Sequence, residues 1–170
     1  MVALALLTGA LVGIAGLFTV AARANRASRV NSLASSLAAQ KMEQLMALAW
    51  GYGPSGEDRV DLRTDVASWP ETQGGSGLTP SPAGALSSSI PGFVDYLDDQ
   101  GVWAGTGLAA PPGATFVRRW SIRPLPASPL DTLVVRVVVM TRGRNGVFPP
   151  DGQVPIEAVL VTCLRSRRGT

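Results

Sequence analysis

The sequence predicts an α+β fold in which one long N-terminal helix packs on a C-terminal antiparallel sheet. Residues 1–50 contain no proline and join an apolar segment to an amphipathic one without a break. Near the C-terminus, residues 115–123, 131–141 and 154–165 are rich in β-branched residues or alternate apolar and polar side chains, as strands do. Short loops join these stretches in order, so an antiparallel meander is the simplest topology.

The N-terminal helix is predicted in two halves. Residues 1–22 carry no charged side chain and as a helix would extend about 33 Å, close to the roughly 30 Å of a bilayer core. A cleaved signal peptide is the alternative, but the helical pattern continues until the breakers "GYGPSG" at 51–56. We therefore predict a transmembrane or filament-core half at 1–22, an amphipathic half at 23–50 and a globular head at 51–170.

Small residues share one face of the apolar half. A face of this kind lets helix backbones approach closely in an apolar medium, although glycine and alanine are frequent in such helices in any case. We expect helix–helix contact through Ala5, Gly9, Gly13 and Gly16.

The amphipathic half carries an apolar stripe at mostly three- and four-residue steps, which is the period of one helix face. Charged and amide side chains lie largely off that stripe. We expect packing against the sheet through Leu33, Leu37, Leu45 and Leu48.

The first part of the head is rich in turn-forming residues. Residues 51–90 are dominated by Gly, Ser, Pro and Asp, which predicts a long surface loop with at most one short strand near 60–62 and with Trp69 packing the loop down. Residues 93–105 place a turn between two short apolar runs, which predicts a hairpin. The apolar stretch 131–141 is predicted to be a central strand with the helix over one side.

The side chains available for chemistry are few. The chain has no histidine and one lysine, Lys41, so the commonest general base and metal ligand are missing. The best group of oxygen ligands, Asp95, Asp98 and Asp99, matches no calcium-loop spacing and is expected to be a solvated turn. The single cysteine, Cys163, permits no intrachain disulfide and is expected to be a small core residue. We predict no enzyme activity, no catalytic residues, no metal and no cofactor.

A basic C-terminal region raises the question of nucleic acid. Arg142, Arg144 and the tail "RSRRGT" (165–170) could contact phosphates. No interleaved aromatic residues accompany them, so a nucleic-acid partner is not expected.

Two segments of the helix carry a resemblance to a known family. "MVALALL" resembles the end of the consensus GFTLIEVLVALALL of type IV pilin-like proteins, and "LAAQKMEQLMALAW" resembles the second half of their helix, where A..KME.L is frequent. The segments "FVRRWSI", "LVVRVVVM" and "AVLVTCL" follow in the order expected of the family's strands. The similarity is greatest to minor pilins and to the pseudopilins of type II secretion.

The resemblance implies a pilin-like fold and a structural subunit of a type IV pilus or a type II secretion pseudopilus. Such a subunit is anchored in the bacterial inner membrane with its head in the periplasm, is extracellular once in a pilus, and contacts other pilin or pseudopilin subunits through its helix. The family's leader and processing site are expected to lie before Met1, so no functional residue of that motif is assigned. The charges of Arg23, Arg26 and Arg29 favour the opposite orientation under the positive-inside rule. The alternative is a single-pass, membrane-anchored domain whose head binds a ligand or an envelope partner.

Overall fold

A computed structural model describes residues 2–143 and 146–167, with side chains of the helix described from residue 13 onward. It confirms the α+β arrangement, with one long N-terminal helix packed on a five-stranded antiparallel sheet. Helix α1 is continuous over Val2–Ala47. The chain forms two compact units, Met1–Leu33 and Ala34–Thr170.

The first unit is helical, and residues 13–29 are exposed at every position. The exposed side chains include large apolar ones: Ile14 is 50 %, Leu17 and Phe18 are each 72 %, and Val20 is 63 % exposed. Over the part of the chain that the structure describes, no helix has both the length and the apolar character needed to cross a membrane.

The second unit is built around the sheet. The strands are β1 (Trp50–Tyr52), β2 (Asp58–Val60), β3 (Thr64–Asp65), β4 (Thr72–Gln73), β5 (Val94–Leu97), β6 (Trp103–Thr106), β7 (Phe116–Leu125), β8 (Ser128–Thr141) and β9 (Val159–Ser166). Strands β5 to β9 form one antiparallel sheet in the order β6-β5-β7-β8-β9. The predicted hairpin and the meander of the last three strands are therefore confirmed.

The last strand starts later than predicted, at Val159 rather than at residue 154. The chain makes a turn first, in which the Ala158 amide donates to the Pro155 carbonyl at 3.0 Å. Because proline has no amide hydrogen, it cannot donate to a sheet ladder. The ladder with β8 consequently begins beyond it.

The region 51–90 is more ordered than predicted. It holds two antiparallel pairs, β1–β2 and β3–β4, so the expectation of at most one short strand is wrong. Asp61 explains part of this order, because its carboxylate accepts the backbone amides of Arg63 and Thr64 at 3.0 and 2.9 Å and fixes the turn into β3.

The anchor residue predicted for this region is also wrong. Trp69 is 64 % exposed. Smaller apolar side chains are buried instead, at Val66, Ala67 and Leu78. A large aromatic residue in a polar segment predicted burial, but the compact turns of this region fill the space under the segment with short side chains.

Both faces of the sheet are covered. On β7, Arg118 points toward the helix, where it donates to the Leu37 carbonyl at 3.0 Å. Its neighbour Arg119 points the other way and donates to the Ser87 carbonyl at 2.6 Å. Loops cover that second face over a cluster of buried residues that comprises Val94, Tyr96, Ala114, Val117, Val138 and Met140.

The helix ends where the last strand reaches it. Arg165 on β9 donates to the Leu45 carbonyl at 2.9 Å and also to the Leu48 carbonyl. The last carbonyls of a helix lack intrahelical partners, and a cation there also complements the helix dipole. Arg165, on the last strand of the sheet in chain order, therefore caps the C-terminal end of α1.

Candidate functional site

Three charged side chains are buried together between the helix and the sheet. Lys41, Asp95 and Arg118 are 1 %, 0 % and 5 % exposed. The Asp95 carboxylate accepts two hydrogen bonds from Arg118, from Nε to Oδ1 at 2.9 Å and from Nη2 to Oδ2 at 2.8 Å. Lys41 Nζ lies 2.9 Å from Asp95 Oδ2. We call these three residues the ion cluster.

Regular secondary structure brings the ion cluster together. Lys41 lies four residues from both Leu37 and Leu45, so it belongs to the helix face that packs on the sheet. Asp95 on β5 and Arg118 on β7 are direct partners in the antiparallel ladder, and residues opposite one another in a ladder project to the same side of the sheet. The bidentate arginine–carboxylate geometry is the strong form of this contact.

Lys41 makes three close contacts. Besides Asp95, its ammonium donates to the Val66 carbonyl at 2.5 Å and lies 4.5 Å from the centre of the Trp120 ring. Burial lowers the pKa of Lys41 from 10.5 to about 8, with the negative charge of Asp95 acting in the opposite direction. Because this pKa lies above 7, the side chain is mostly protonated at neutral pH, and its ammonium lies among these three neighbours.

The ion cluster joins four segments of the second compact unit. Lys41 comes from the helix, Asp95 and Arg118 from two strands, and the Val66 carbonyl from the loop after β3. Arg118 adds the Leu37 carbonyl and a longer contact of 3.4 Å to Gln40. Such a fully bonded arrangement fixes the position of the helix on the sheet, because a shift of either element would leave a buried charge without its partner.

A cleft opens beside the ion cluster. Its volume is about 530 Å³, within the range typical of ligand sites. The ion cluster lies at the base of the cleft. The walls of the cleft combine indoles and one valine with carboxylates and amides: Gln40, Glu43, Gln44, Trp69, Glu71, Val102 and Trp103. Two hydrogen bonds hold residues of the cleft walls in place. Trp103 Nε1 donates to the Ala67 carbonyl at 2.9 Å, and the Gln44 amide donates to the Glu71 carboxylate.

The four leucines predicted to pack on the sheet differ in exposure. Leu37, Leu45 and Leu48 are 5 %, 0 % and 8 % exposed. Leu33 is half-buried and lies at the end of the first compact unit. The apolar stripe thus enters the core from residue 34 onward, where Ala34 and Ala38 are also buried.

The predicted helix-contact face is only partly within the described side chains. Ala5 and Gly9 lie outside them. Gly13 and Gly16 are exposed, and a Cβ built on either would meet none of the described atoms within 4 Å beyond the adjoining helix backbone and chain neighbours.

The aspartates considered as oxygen ligands are separated. Asp95 lies in the ion cluster, whereas Asp98 is in the hairpin turn, where its carboxylate accepts the amides of Gln100 and Val102, and Asp99 is exposed. Among residues 2–143 and 146–167, no group of three or more potential metal-ligating side chains is present. Cys163 is half-buried rather than a core residue, because it lies on the edge strand β9.

The ion cluster and the cleft were not predicted from sequence. Two signals pointed toward the ion cluster: the only lysine has the spacing of the apolar stripe, and Arg118 interrupts the apolar alternation of β7. The partner Asp95 could not be found this way, because nearby turn aspartates made it part of an apparent surface group. Comparison with protein-family models, curated proteins and solved structures gave no match, so the site is interpreted from its own geometry.

Proposed function

We propose that the protein is a structural subunit of a helical filament, a minor pilin or a pseudopilin, anchored in the bacterial inner membrane before assembly. One observation supports this most directly. A single helix of 46 residues is buried on one face from residue 34 onward and exposed at every position of 13–29. Its exposed part carries large apolar side chains, Ile14, Leu17, Phe18 and Val20, each of which is at least half exposed.

The exposed apolar surface requires a partner outside the chain. Burial of apolar surface is favourable by about 25 cal/mol per Å², and a large contiguous apolar patch marks an interaction site on a soluble protein. Lipid or a set of similar helices would provide that cover. An apolar helix can exchange one for the other at little hydrophobic cost, because lipid tails and apolar side chains are alike in this respect.

Further features of the sequence and of the fold support this proposal. The uncharged segment 1–22 has the length of a bilayer core, and "MVALALL" and "LAAQKMEQLMALAW" resemble pilin-like helices. The head is a helix packed on an antiparallel sheet whose last three strands follow in chain order. This arrangement suits a subunit that presents a compact head on a shared helical core.

The small-residue face allows a direct test. We expect Gly13→Ile, expressed from the native gene with its upstream reading frame, to remain in the membrane fraction but to be lost from sheared filaments. The physical reason is that isoleucine adds apolar surface, which lipid accepts, but separates helix backbones that pack through glycine. Beyond the adjoining helix backbone and chain neighbours, none of the described atoms lies within 4 Å of a Cβ built at Gly13, so a Cβ there is tolerated by the described part of the subunit.

The matched control is Ala22→Ile, which makes a similar change on a different side of the exposed helix. We expect this variant to enter filaments normally. Filaments that contain Gly13→Ile at the wild-type level would refute helix contact through this face. Loss of Gly13→Ile from the membrane would assign the glycine to insertion, and the anchored binding domain would then be the better description.

A further inference from the structure

We propose that the cleft beside the ion cluster binds a neutral saccharide, with the indole of Trp69 as the stacking surface. This inference is independent of filament assembly, because the cleft is lined only by residues of the second compact unit. The proposal rests on the shape of the cleft, on its charges and on the exposure of its aromatic side chains.

The cleft has the size and composition of a site for a polar ligand. Its volume is about 530 Å³, and amide, carboxylate and hydroxyl groups line it beside two indoles. The polar wall residues are Gln40, Glu43, Gln44, Ser68 and Glu71. Amides and carboxylates hydrogen-bond well to hydroxyl groups, which both donate and accept.

The charged side chains that line the cleft nearly balance one another. At the base, Lys41 and Arg118 share the carboxylate of Asp95. At the walls, Glu43 and Glu71 are exposed carboxylates, so the lining holds two cations and three anions. A ligand that carries hydroxyl groups but no net charge needs no strong counter-charge from such a lining.

The exposed indole of Trp69 indicates that the ligand also has an apolar face. Its side chain is 64 % exposed, although the chain has enough core to bury Trp120 completely. Next to it on the cleft wall are Trp103, which the Ala67 carbonyl holds in place, and Val102, which is 59 % exposed. An exposed indole favours a partner with a flat apolar face, and the C–H groups of a pyranose ring present their positive edges to the negative face of the indole.

The test uses the full chain in a detergent that has no sugar or choline headgroup. Isothermal titration with cellotriose, maltotriose, tri-N-acetylchitotriose and mannotriose is expected to give saturable binding for at least one of them. Trp69→Ala should weaken that binding about tenfold or more, because the stacking surface is lost, and Trp69→Phe should restore most of it. Ile156→Ala, which changes a fully exposed residue far along the chain, should have no effect.

Two results would overturn the proposal. The first is the absence of saturable binding for all four saccharides; if choline chloride, titrated in parallel, binds in that case, the cleft is a site for organic cations. The second is unchanged affinity in Trp69→Ala, which would place the ligand elsewhere. Filament formation by the same variants is measured separately, so failure of this proposal leaves the filament proposal unaffected.

Discussion

Replacement of Asp95 by asparagine tests whether the ion cluster holds the helix on the sheet. The carboxylate is fully buried and serves two cations, Lys41 and Arg118. Asparagine has almost the same shape but no charge, so both cations would remain in the core without an anion. Removal of one partner from a buried pair costs about 3–5 kcal/mol, and because one anion here serves two cations we expect a loss near the upper end of this range.

The contrasting variant is Lys41→Met. It keeps the apolar part of the side chain and leaves the bidentate Asp95–Arg118 pair complete. Burial holds the pKa of Lys41 at about 8 instead of 10.5, which means that keeping the ammonium charged in this site costs about 3 kcal/mol relative to water. Methionine avoids that cost but loses the contacts of the ammonium, so we expect a change of less than about 1 kcal/mol, in either direction.

The assay is thermal and denaturant unfolding of the full chain, followed by near-ultraviolet circular dichroism. At about 2–4 °C per kcal/mol for a chain of this size, Asp95→Asn should lower the midpoint by about 10 °C or more. Asp99→Asn, an exposed neighbour in the same hairpin, serves as the matched control and should change stability by less than about 0.5 kcal/mol. The explanation fails if Asp95→Asn is no more destabilising than Lys41→Met.

Two further predictions concern pH and packing. Between pH 8 and 10.5, Lys41 binds more protons in the unfolded chain than in the folded one, where its pKa is about 8. The free energy of unfolding should therefore rise with pH across this window. The same pH titration of stability in Lys41→Met should lack that rise, and identical profiles in the two proteins would show that Lys41 is not responsible. Leu45→Ala, at a fully buried position, should cost about 2–5 kcal/mol in denaturant unfolding, whereas Leu33→Ala, at a half-buried position in the first unit, should cost clearly less. Equal losses at the two leucines would mean that the stripe continues to pack before residue 34.

The sequence predicted the regular elements well because each has a strong local signal. The helix has uninterrupted periodicity and no proline before the breakers at residue 51. The strands at 115–123 and 131–141 are rich in β-branched and aromatic residues, and the turn at Asp98 separates two apolar runs. Periodicity and turn chemistry act over a few residues, so they can be recognised without knowledge of the fold.

The ion cluster and the loops could not be predicted in the same way. The partners of Asp95 are 54 residues before it and 23 residues after it in the chain, and only the pairing of β5 with β7 and the docking of the helix bring them together. The prediction that Trp69 would be buried was wrong for a related reason. A tryptophan is buried when neighbouring segments leave room for it, and here Val66, Ala67 and Leu78 fill the available space. Tertiary contacts decide both cases.

The cap that Arg165 places on the helix has a consequence for how the chain is made. Arg165 contacts the Leu45 carbonyl across 120 residues of sequence, and β9 pairs only with β8. A ribosome therefore releases the amphipathic helix, and the strands that carry its partners Asp95 and Arg118, before the strand that caps its end. Pulse-labelled hydrogen exchange during refolding should protect residues 34–47 no later than 159–166, and later protection of the helix would contradict this order. The end of the helix thus receives its cap only when residue 165 has emerged, close to the end of synthesis.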